Sequence, residues 1–83
     1  MEFNIRAKHN GWCCIFNLNG QEYYASLIFG KDDKPYSPEC MIFKSEDGQF
    51  SFKDAGGVYF CDSMSVSPIG LEQCIKEFIA LQQ

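Results

Sequence analysis

"WCCIFNLNGQEYYASLIF", residues 12–29, sets an Asn-Gly pair between two runs rich in apolar residues. In that setting Asn-Gly marks a two-residue type I′ hairpin turn, because both central residues of such a turn need positive φ. So tight a turn dictates the pairing: Leu18 opposite Gln21, Phe16 opposite Tyr23, Cys14 opposite Ala25 and Trp12 opposite Leu27. Side chains alternate along a strand, so the pairing also sorts residues between two faces. Asn10-Gly11 repeats the signal one strand earlier. It predicts His9 opposite Trp12, Ala7 opposite Cys14, Ile5 opposite Phe16 and Phe3 opposite Leu18. Both hairpins then agree on one apolar face: Phe3, Ile5, Ala7, Trp12, Cys14, Phe16, Leu18, Tyr23, Ala25, Leu27 and Phe29. The reverse face takes Asn4, Arg6, Lys8, Cys13, Ile15, Asn17, Glu22, Tyr24, Ser26 and Ile28.

Beyond Phe29 the chain reads "GKDDKPYSPE", whose glycine, prolines and charges predict a loop. A fourth strand from Cys40 to Ser45 turns at Asp47-Gly48 into a fifth, Phe50 to Lys53, which sets Phe43 opposite Phe52 and Ser45 opposite Phe50. After "DAGG", the segment "VYFC" reads as a short sixth strand. A three-residue loop would put Val58 and Phe60 beside Phe52 on the core face, the favoured alignment; a Gly-Gly turn would put Tyr59 and Cys61 there instead. The period then changes. Ser67-Pro68 reads as an N-cap followed by proline at the first helical position. Val66 and Leu71 stand at the spacing of a hydrophobic staple. Leu71, Cys74, Ile75, Phe78, Ile79 and Leu81 recur at helical spacing, and Glu72 can pair with Lys76 one turn on. The expected fold is α+β: an antiparallel β-meander of five to six strands with one C-terminal amphipathic helix packed on one face. Residues 1–83 form a single domain.

At 83 residues the core must be thin, which leaves little room for a large substrate pocket and favours a non-enzymatic role. Seven Lys and Arg against eleven Asp and Glu give a net charge of −4, which argues against direct nucleic-acid binding through phosphates. No run has the length of a signal peptide or a membrane span, so the expectation is a cytoplasmic protein with no membrane partner. Five cysteines form an odd set without a CxxC pair, and are read as buried reduced thiols. Cys13 and Cys14 would face opposite sides of a strand and cannot chelate one metal together. No cofactor or metal is expected. His9 is expected to stack on Trp12 at the turn end, without a thiol partner for nucleophilic catalysis.

Two surfaces remain as candidate partner sites. One is the reverse face, where Ile15 opposes Tyr24 with Cys13 and Ile28 nearby. The other is a set of acidic turn residues, Asp32, Asp33, Glu46 and Asp47, with Glu39, Asp54 and Asp62 close in sequence. Such a set can meet a basic groove on another protein. These features imply a protein-binding module, an inhibitor or adaptor occupying a site on a larger protein. A self-assembling subunit, with a homodimer as its simplest form, and a thiol-based redox or metal protein are the alternatives. No motif assigns the chain to a family. In overall build alone, tiny, acidic and without an evident active site, it resembles small phage-encoded inhibitors of host defence such as anti-CRISPR proteins. That resemblance implies a partner that is a nucleic-acid-binding complex with a basic surface.

Overall fold

The computed structural model of the protein describes residues 3–28, 39–46, 49–50, 59–61 and 67–82. Four antiparallel strands and one C-terminal helix make an α+β architecture. The strands are β1 (Arg6–Lys8), β2 (Gly11–Leu18), β3 (Gln21–Ile28) and β4 (Glu39–Glu46), side by side in chain order. Two shorter segments, β5 (Gln49–Phe50) and β6 (Tyr59–Cys61), both pair with β4. The helix α1 spans Pro68–Leu81.

The β2–β3 hairpin has the expected register throughout, from Leu18 opposite Gln21 to Trp12 opposite Leu27. Its turn has the conformation that Asn-Gly favours, with Asn19 at φ 52° and Gly20 at φ 82°. The Gly20 amide donates to Asn17 Oδ1 at 3.1 Å, which ties the turn to the strand before it.

The β1–β2 pairing departs from expectation. Ala7, not His9, faces Trp12, and Arg6 faces Cys13. The turn therefore falls on His9 and Asn10, and Gly11 belongs to β2, opposite both Lys8 and Ile28. The expected stacking of His9 on Trp12 goes with the lost register. Gly11 serves packing: a Cβ at this position would lie 2.0 Å from the Leu27 carbonyl oxygen. The register has moved by an even step, so no side chain has changed face.

On the apolar face, Cys14, Phe16, Ala25 and Leu27 of the hairpin meet Cys40 and Ile42 of β4. Leu71, Cys74, Ile75 and Phe78 of α1 close over them, with Trp12, Leu18, Tyr23 and Ile79 at the margin. The Phe16 ring stacks on Tyr23 at 5.4 Å and meets the Phe78 ring edge-on at 6.2 Å. The helix begins as its sequence implies, with Ser67 Oγ accepting from the Gly70 amide at 3.0 Å. Lys76 reaches Glu72 at 3.7 Å, an exposed pair that contributes about 0.3 kcal/mol. Leu81, expected on the buried stripe, is 65% exposed in the last turn. Val66 lies outside the described residues, as do the acidic turns at 32–33 and 47.

Three expectations about the second half change. Phe43 faces Tyr24 and so belongs to the reverse face, while Ile42 takes the core position. Segment β6 pairs with β4 rather than β5, with Cys61 opposite Cys40 and Phe60 opposite Met41. Both alignments weighed for "VYFC" set it beside Phe52, which lies outside the described residues. Finally, Cys40 and Cys74 are not free thiols but form a disulfide joining β4 to α1 across a Cα separation of 7.0 Å. Cys13 and Cys14 are free.

Gly11→Ala should cost about 1–3 kcal/mol in urea unfolding, because its new methyl must displace the β3 backbone. Gly20→Ala has open space around it and should cost nearer 1 kcal/mol, from the left-handed backbone alone. Equal costs at the two positions would contradict the packing role given to Gly11.

Candidate functional site

Across the reverse face the registers align two rows of side chains. Ile15, Tyr24 and Phe43 form one, and Arg6, Cys13, Ser26 and Met41 form the next. Lys8, diagonal to Cys13, reaches into the second row, where its Nζ donates to Ser26 Oγ at 2.6 Å. The same ammonium stands 5.8 Å from the centre of the Tyr24 ring, within the range of a cation–π contact. Tyr24 lies 6.4 Å from Phe43, ring to ring.

Burial is uneven across this face. Ser26 and Phe43 are buried, at 4% and 5% exposure, while Ile15 is 55% exposed. Cys13, Tyr24 and Ile28 are half-buried, and Asn17, Glu22 and Arg6 are exposed around them. The face expected to be open as a whole is thus accessible mainly over β1 and β2 and closed toward β4. Ile15, Cys13, Tyr24 and Ile28 do share it. Of the acidic candidates, Glu46 ends β4 opposite Gln49, Glu39 is half-buried opposite Ile28, and Asp32, Asp33 and Asp47 lie outside the described residues.

The electrostatics follow from partial burial. Removal from water pushes the Tyr24 phenol up to about 12, with the neighbouring Cys13 sulfur adding to the rise and Ser26 opposing it. Burial lowers the Lys8 ammonium, and Cys13 works against that shift. Cys14, beneath α1, is raised by burial first and then by Cys13, against a backbone hydrogen bond from Asn4. Among the described residues no three His, Cys, Asp or Glu side chains stand close enough to hold a metal. None of the described helices is long and apolar enough to cross a membrane.

Sequence reasoning missed two features. The Lys8–Ser26 bond could have been anticipated, since the two expected hairpin registers put Lys8, Cys13 and Ser26 in one row of the reverse face. A depression of about 230 Å³ at the far end of the helix, lined by Tyr23, Lys44, Phe78 and Gln82, depends on the β3–β4 register. No tight turn announces that register. No family model matches the chain, and neither a curated protein nor a solved structure does.

The phenol sets a pH expectation. A folded-state value above the ordinary 10 means the fold favours the neutral form. That stability is intact below pH 10 and is lost as pH rises through about 12. Phenolate absorbance should therefore show a late step, and Tyr24→Phe should remove it. Retention of the step in the variant would assign it to another tyrosine.

Proposed function

We propose that the chain is a small non-enzymatic protein-binding module, an inhibitor or adaptor that occupies a site on a larger protein. The observation that supports this reading most is Ile15, a large apolar side chain 55% exposed mid-strand and bordered by the half-buried Tyr24 and Cys13, with Ile28 two rows further along β3. Contiguous apolar surface rimmed by polar groups suits a protein contact. Here Asn17, Glu22 and Arg6 supply the rim. A net charge of −4 favours a partner with a basic surface and disfavours phosphate itself. Nucleic-acid-binding complexes carry such basic surfaces, so an anti-CRISPR-like phage inhibitor acting in a host cytoplasm is the concrete form of the proposal. The acidic turns would then add long-range attraction, and β5 and β6, both paired with β4, would extend the sheet to five or six strands.

The test compares capture of the partner from host extract by the native chain and by Ile15→Lys. Ile15 supports no core residue, so the variant should unfold within about 0.5 kcal/mol of the native protein. Its affinity for the purified partner should fall at least about tenfold, or 1.4 kcal/mol. Tyr24→Ser is the less clean choice, because Tyr24 also contacts Phe43 and Lys8. Raised salt should slow association if the partner surface is basic. Unchanged affinity in Ile15→Lys would remove the reverse face as the site. Light scattering separates the self-assembly alternative, which requires a mass that grows with concentration.

A further inference from the structure

The helix side of the sheet emerges from under α1 at Lys44. Along β4 the residues on that side are Cys40, Ile42 and Lys44, of which the first two are fully buried and the last is exposed. Lys44 stands opposite Tyr23, and Tyr23 opposite Phe16, so the three share one row. Over that row the Phe78 ring of α1 meets Tyr23 edge to face at 5.1 Å. The depression of about 230 Å³ between Tyr23, Lys44, Phe78 and Gln82 thus has two aromatic walls and a rim of one ammonium and one carboxamide. Among the described residues no carboxylate pairs with Lys44. The Gln82 backbone amide donates to the Ile79 carbonyl at 3.1 Å, which occupies a carbonyl that would otherwise repel an anion at the helix end.

We propose that this depression binds a small aromatic carboxylate, its ring against Tyr23 and Phe78 and its carboxylate on the Lys44 ammonium. The size fits. An apolar cavity of about 150 Å³ takes up benzene, so one of about 230 Å³ holds a ring with a short acid arm. Aromatic side chains favour edge-on or offset ring neighbours, which the walls supply. The carboxylate accepts a charge-assisted hydrogen bond from Lys44, stronger than one between neutral groups. The Gln82 side chain has N–H donors of its own for the second oxygen. Neither half suffices alone: an exposed ammonium holds a bare anion weakly, and aromatic walls do not choose between an acid and its amide. The site lies on the opposite side of the sheet from Ile15, so it stands or falls apart from the protein contact proposed there.

The experiment titrates the intact protein by NMR with phenylacetate, which is ionised at pH 7. Saturable shifts should appear at Tyr23, Phe78, Lys44 and the Gln82 carboxamide, with a millimolar dissociation constant that suits so few ligand atoms. The Ile15 signals should stay in place. Phenylacetamide, similar in shape but neutral, should bind at least about threefold more weakly. Lys44→Gln, an exposed substitution, should weaken phenylacetate by a similar factor and leave phenylacetamide unchanged. Three results would overturn the proposal: no saturable shift at Tyr23 and Phe78, equal affinity for acid and amide, or a tighter hold on phenethylamine than on phenylacetate. All three are read on the native protein, whether or not the variant folds.

Discussion

The Asn19-Gly20 turn is the constraint on which the remaining structure depends. Two residues with positive φ leave β2 and β3 only one alignment, and that alignment decides which side chains meet the helix. Phe16, Cys14, Ala25 and Leu27 gather on one side, and Ile15 and Tyr24 are left on the other. The ring cluster of Phe16, Tyr23 and Phe78 then anchors α1 across the hairpin. A slip of one residue would put Ile15 under the helix and strand Phe16 in water.

A domain of this size has little core with which to offset chain entropy. The Cys40–Cys74 bond adds a covalent restraint across a sequence separation of 34 residues. Loops of that order contribute about 3–4 kcal/mol in the chain-entropy account. The bond also couples the last helix to β4. Packing and crosslink thus act on the same contact, α1 against β4, from two independent physical origins.

What could be read from sequence follows the same division. Where Asn-Gly made a true two-residue turn, every partner from Leu18 to Trp12 was legible. At Asn10-Gly11 the motif misled, because the Leu27 carbonyl needs a glycine inside the strand and the turn moved to His9-Asn10. Face assignment survived, since an even shift preserves alternation. For β4 the orientation was not legible. Neither Cys40 nor Phe43 carries a mark of its face, and no Asn-Gly pair stands between β3 and β4 in the sequence to set a register. The same gap concealed the meeting of Cys40 with Cys74 and with β6. On the reverse face, the exposure of Ile15 followed from the hairpin, but the burial of Ser26 and Phe43 depended on β4 and could not be foreseen.

The most direct test of this account is a solution NMR measurement on the folded protein. Nuclear Overhauser contacts should link the Phe16 ring to Phe78, while a soluble paramagnetic agent broadens the Ile15 methyl signals. Ile15 methyls shielded from the agent and in contact with Leu71 or Phe78, with Phe16 broadened in their place, would contradict it.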